Sequence, residues 1–337
     1  MFRVADLNRR ALLAGAAALI SYPAAIERGS SRAFAQSGGV AADTLDHWRE
    51  LGRLTQQSVK LGVSVPRMAA HINTMGDRDF IQIMPATVDL IASLEAHVAR
   101  AQTRDAEIDA LIAKACDLLR RVHQAERAPP DPRPEGLSIA AQPGRPSFES
   151  LKAGYRELFE SSTVRDAHRA TVDWYLSKLS DSPLQARWYE VAQEACCPWY
   201  FVAITHAMEG SFNFQSHLHN GDPLRERTVN VPQGRPKTWN PPSSWEASAF
   251  DALSFDGFVD VSDWTLERML YRWESYNGFR SRQNGINTPY LWSFSNHYSR
   301  GKYIADNVWD PNAVSKQCGA AVMLKVLVER KLAVLPA

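Results

Sequence analysis

The sequence predicts a mainly α chain: an N-terminal helical module, then an α+β half with one small β-hairpin. Three observations carry this. Apolar residues recur at three- and four-residue steps over most of the length. A proline-dense stretch at 128–146 interrupts them, and turn residues crowd around a single β-prone run at 227–231. The 337 residues suit about two domains at ~100–200 residues each. With 38 basic against 37 acidic residues, the formal net charge is +1. That balance gives no basic field for nucleic acid or an anionic membrane surface.

The first 36 residues read as a targeting segment. Arg9-Arg10 precede the apolar run Ala11–Ile20, and Ala33-Phe34-Ala35 forms a small-x-small cleavage site before Gln36. The arginine pair resembles a twin-arginine signal, which exports a folded chain to the periplasm or beyond. The apolar run is shorter than the ~20 residues of a spanning helix, so no membrane span is expected once the signal is removed.

Residues 37–127 read as a small bundle or hairpin of about three helices. Leu111, Ile112, Ala115, Leu118, Leu119 and Val122 mark one face. Asp105-Ala106-Glu107 opens that helix and Pro85 is a candidate start for the one before. Pro129-Pro130-Asp131-Pro132-Arg133-Pro134 and Pro143-Gly144-Arg145-Pro146 then predict a semi-rigid linker over 128–146. Beyond it, Ser147 is placed to cap a helix through Phe159. Further helices are expected at 165–179, 183–195, from Trp199 to Glu209, 245–255, 264–277 and 312–335. Between Asn213 and Pro242, Asn220-Gly221-Asp222-Pro223 and Pro232-Gln233-Gly234-Arg235-Pro236 flank Arg227–Val231, a short hairpin or irregular loop. Cys196 and Cys197 are adjacent, without the C-x-x-C spacing of a metal or redox site, and Cys116 and Cys318 stand apart. A bridge from Cys318 and buried free thiols are equally compatible with that pattern.

Chemistry points to one place. Glu209 ends the apolar run Trp199–Met208, and desolvation favours a neutral carboxylic acid, the form that protonates a leaving oxygen. Asp222, in a polar turn thirteen residues on, is the candidate second carboxylate, and Thr228 a hydroxyl to place water. Cleavage of a glycosidic bond needs such a donor and a second negative group. The plainer readings are a salt bridge from Glu209 to Arg187 and an ordinary turn role for Asp222.

His206-Ala-Met-Glu209-Gly-Ser-Phe-Asn-Phe214, His217-Leu-His-Asn-Gly-Asp-Pro-Leu224, Arg227-Thr228 and Val231-Pro-Gln-Gly-Arg-Pro236 resemble a family of bacterial and phage-derived lysozyme-like proteins. Thr288–Trp292, Gly301-Lys-Tyr303 and Gln317-Cys-Gly319 extend the likeness, which covers about 147–335. It implies a lysozyme-like α+β domain over 147–337 that hydrolyses the glycan strand of peptidoglycan, with Glu209 as the acid and no cofactor or metal. Tyr290, Trp292, Asn296 and Tyr298 are candidates to line a sugar cleft. His219, Asn220 and Arg227 are candidates to contact substrate polar groups. A lytic transglycosylase, which dispenses with the second carboxylate, and a non-catalytic wall-binding protein are the nearest alternatives. A zinc amidase or peptidase using His217, His219, Asp222, His206 and His297 is a third, although no H-E-x-x-H helix is present. The sequence carries no signal for oligomeric state.

Overall fold

The computed structural model describes residues 40–65, 80–101, 105–126, 145–239, 244–305 and 308–336. The expected signal segment and most of the expected linker lie outside them. The chain divides into two compact units, Met1–Asp46 and His47–Ala337, and the second holds the packed helices and the candidate site.

The described residues are mainly helical. Three helices precede the proline-rich stretch: α1 (Val40–Lys60), α2 (Phe80–Ala101) and α3 (Ala106–Glu126). Then follow α4 (Phe148–Ser161), a 3₁₀ turn at Asp166–His168, α5 (Arg169–Leu179), α6 (Ser182–Ala195) and α7 (Trp199–Gly210). The remainder comprises α8 (Trp245–Phe255), α9 (Leu266–Asn277), the single turns α10 (Arg280–Gln283) and α11 (Pro289–Trp292), β1 (Lys302–Ala305), β2 (Val308–Asp310) and α12 (Ala320–Glu329). Capping explains several starts. Ser147 accepts from Ser150 N at 3.3 Å, Asp181 from Leu184 N at 3.4 Å and Ser244 from Ala247 N at 3.1 Å.

Four expectations are corrected. Pro85 lies inside α2 instead of starting it. The antiparallel strand pair is β1–β2, whereas 213–239 is a string of turns with one isolated bridge, Ser216 to Pro223. The last helix begins at Ala320, not Asn312, because the backbone before it bonds elsewhere: Ala313 O accepts from Gly301 N, Ser315 N donates to the Tyr298 hydroxyl and Lys316 N to Glu126.

The fourth concerns the expected helical module, of which α2 and α3 do not stand apart from the C-terminal half. α2 and α3 pack on each other, and α3 reaches into the C-terminal half. His123 Nδ1 pairs with Ser211 Oγ at 2.6 Å, and Glu126 Oε1 accepts from Lys302 Nζ at 2.8 Å and Lys316 N at 2.7 Å. Asp89 on α2 takes Lys178 Nζ at 2.6 Å. All four cysteines are free thiols, with Cys116 and Cys318 buried.

At the centre sits α7, every residue of which is buried, as expected of a helix that is apolar all round. It packs against α5, α6 and α12. Trp273 on α9 donates to Thr205 Oγ1 at 3.0 Å, and Phe201 stacks on Trp273 with centroids 5.1 Å apart. Among the described residues, no helix is long and apolar enough to cross a membrane.

Candidate active site

Glu209 occupies the last turn of α7, which ends when Ser211 and Phe212 adopt positive φ (48° and 61°). Gln317 Nε2 donates to Met208 O at 2.9 Å, satisfying one of the carbonyls that a helix end leaves open. The Glu209 side chain has 0% exposure. Its Oε1 accepts a 2.7 Å hydrogen bond from the phenol of Tyr290, which α11 presents after the Thr288 cap. Arg187, the cation suggested by the plainer reading, instead pairs with Glu246 and lies 3.8 Å over the Phe214 ring.

One turn further back, His206 is enclosed by aromatic rings. Trp188 Nε1 donates to its Nδ1 at 3.1 Å, and Phe214 and Trp245 lie at 4.5 Å between centroids. Burial pulls this imidazole down to about 3, so it is neutral at physiological pH.

The turn after α7 folds back onto it. Gly221 has φ +79°, and a Cβ there would stand 2.9 Å from the carbonyl oxygen of Glu209. Only glycine fits both conditions. Asp222 is therefore next to the Glu209 backbone, but it is not the solvated carboxylate that its polar neighbours suggest. It is 2% exposed. Its Oδ2 accepts from Val229 N at 2.8 Å, Asn230 N at 2.9 Å and Asn220 Nδ2 at 3.0 Å, and its Oδ1 from Asn230 Nδ2 at 2.6 Å. Four donors from the loop hold it as a clamp. Thr228 is a second clamp: buried, donating to Pro232 O and accepting from Arg235 N at 2.9 Å.

The other candidates divide in the same way. Asn220 Oδ1 accepts from Asp222 N at 3.0 Å. His219 Nε2 meets Asp251 Oδ2 at 2.8 Å, and the fork of Arg235 binds Asp251 at 2.9 and 2.6 Å. Burial lowers the pKa of His219 despite Asp251. Arg227 is exposed. Trp292 is buried core, and Tyr298 donates to Gly301 O at 3.2 Å and accepts from Ser315 N at 3.1 Å. Asn296 ties the end of α4 by accepting from Thr163 N at 2.8 Å and donating to Ser161 O at 3.2 Å. Of the expected cleft residues, Tyr290 is the one hydrogen-bonded to the Glu209 carboxyl.

The histidines proposed for zinc have other partners. His217 Nδ1 meets Ser248 Oγ at 2.6 Å and Nε2 meets Glu226 O at 2.6 Å, while Trp188 holds His206 and Asp251 holds His219. Among the described residues, no three His, Cys, Asp or Glu side chains are grouped to hold a metal. Sequence reasoning missed Gln317, His123 and Ser211 as supports of the α7 end. Gln317 falls in the Gln317-Cys-Gly319 motif, but the helix bearing His123 carried no such signal.

No family model, no curated protein and no solved structure matches this chain.

Proposed function

We propose that this chain has a lysozyme-like fold and cleaves the glycan strand of peptidoglycan with Glu209 as its one reacting carboxyl group. The observation that carries this choice is the state of Asp222, whose two oxygens are occupied by four loop donors. A mechanism that needs a second carboxylate to activate water or stabilise charge fits poorly with that. The lytic transglycosylase route needs none. Glu209 gives its proton to the oxygen bridging N-acetylmuramic acid and N-acetylglucosamine as the C1–O bond breaks. It then takes the proton of the muramyl 6-hydroxyl as that oxygen bonds to C1. One product ends in a free 4-hydroxyl and the other in a 1,6-anhydro-muramyl residue, with the carboxyl restored. General acid–base transfer of this type contributes about 10²–10⁴-fold.

The carboxyl is buried and bonded to the Tyr290 phenol, so a sugar reaches it only when its surroundings open. Export is part of the proposal and rests on Arg9-Arg10, the apolar run and Ala33-Phe34-Ala35. The test is digestion of purified sacculi with mass spectrometry of the released fragments. Anhydro-muramyl ends are expected with wild type and none with Glu209→Gln. Hydrated reducing ends would return the reaction to hydrolysis. Equal release by the amide variant would remove Glu209 as the acid.

The 0% exposure of Glu209 favours one other reading, a protein that binds the wall without cutting it. Sedimentation with sacculi and no soluble fragments under any condition would select it.

A further inference from the structure

The face of α9 that carries Arg268, Arg272 and Ser275 shows the spacing i, i+4, i+7 of one helical stripe. It lines a cleft of about 430 Å³, together with Arg145, Tyr271 and the 257–263 segment. None of these residues belongs to the surroundings of Glu209.

Arg272 is the unusual member. It is 8% exposed, so nine-tenths of it is withdrawn from water. Its guanidinium lies 4.1 Å over the Trp264 ring, and its Nη1 donates to Asp263 O at 2.6 Å. Those two contacts fix both the plane and one corner of the group. The opposite edge, formed by Nε and Nη2, takes no acceptor among the described residues, and no described carboxylate lies within ion-pair distance of Arg272. Burial pulls its pKa down to about 10, with Asp263 pulling the other way, so it stays charged at neutral pH. That edge keeps some exposure and opens into the cleft, where a charged acceptor can reach it.

The Nε/Nη2 edge of arginine matches the two oxygens of a carboxylate. The other cations confine the choice. Arg268 is committed to Asp263 at 2.9 Å and stacks on Phe148. Arg145 sits 4.7 Å over the Tyr271 ring at the cleft. Asp260, exposed, and Asp263 line the same space. Two acids there penalise a dianion such as phosphate more than a monoanion.

We infer that this cleft is a second ligand site, one that takes a carboxylate-terminated small molecule or peptide end on the open edge of Arg272. This does not depend on glycan cleavage. The test uses the full chain and calorimetric titration with N-acetyl-alanyl-alanine, the same dipeptide as its C-terminal amide, and inorganic phosphate. The acid is expected to bind, with the amide and phosphate weaker by roughly tenfold or more. Arg272→Gln is expected to weaken the acid by a similar factor, and Arg145→Ala by less. Equal binding of acid and amide, phosphate as tight as the acid, no saturable binding of the acid, or a folded Arg272→Gln variant with unchanged affinity would each overturn the inference. If circular dichroism shows that Arg272→Gln is unfolded, the acid–amide comparison in wild type decides alone.

Discussion

Tyr290 hydroxyl and Glu209 Oε1 are 2.7 Å apart, and both residues are buried. A phenol from a single-turn helix thus bonds the carboxyl that ends the central one. Tyr290→Phe removes one donor to a buried carboxyl, which costs about 1–3 kcal/mol. Urea unfolding should show that loss. Glu209→Gln keeps an oxygen for the phenol and should be destabilised less, while releasing no fragments from sacculi.

Asp222→Asn exchanges an acceptor oxygen for an NH2 group inside a ring of N–H donors. We expect a loss of roughly 2–4 kcal/mol, since hydrogen bonds to a charged group contribute about 1.5–3 kcal/mol each and several are affected. Hydrogen exchange should speed up at Val229 and Asn230 before it does elsewhere. Under the single-carboxyl mechanism, cleavage should fall only with the folded fraction. A fully folded Asp222→Asn protein with no activity would contradict that mechanism.

His206 gives the stability a defined acid limb. The ring titrates at 6.5 when unfolded and at about 3 in its aromatic enclosure. Above about pH 6.5 both states are neutral and the full stability is present. As pH falls towards 3 the unfolded chain takes up a proton that the folded chain refuses, so stability drops by about 1.4 kcal/mol per unit. Urea midpoints measured from pH 7 to pH 4.5 should fall, less steeply in His206→Gln. The His206 ring signals in NMR should stay constant from pH 8 to pH 5.

Glu126 and Lys302 form a buried pair with side chains 9% exposed on each side. Glu126→Ala leaves the ammonium without its charge partner and should cost about 3–5 kcal/mol. A chain beginning at Arg145 should lack the near-ultraviolet circular dichroism of a packed interior, because it loses Glu126 and His123 together.

The helices are legible wherever an apolar face or a cap writes them into local sequence. Ser147 starts the helix expected of it, and the helices expected at 183–195 and 245–255 prove to be capped by Asp181 and Ser244. Glu209 at the end of an apolar helix is legible for the same reason. Asp222 reads wrongly because neighbouring residues report polarity but not cover: Val229 and Asn230 fold onto it from seven and eight positions away. Within the β-prone run 227–231, Val229 N and Asn230 N go to the Asp222 carboxylate and Thr228 N to Arg235 O, so these donors close a turn instead of a strand ladder. The late start of α12 depends on bonds to Tyr298, Gly301 and Glu126, and the closeness of α3 to Lys316 on a contact 190 residues apart, which no local pattern encodes.

The Glu126 anchor also constrains when the molecule matures. Its partners at 302 and 316 lie 176 and 190 positions downstream. Contacts that span so much chain close slowly and only after the late segment exists. The helix that carries Glu126 therefore waits for residues 302 and 316 to be made before this anchor can close.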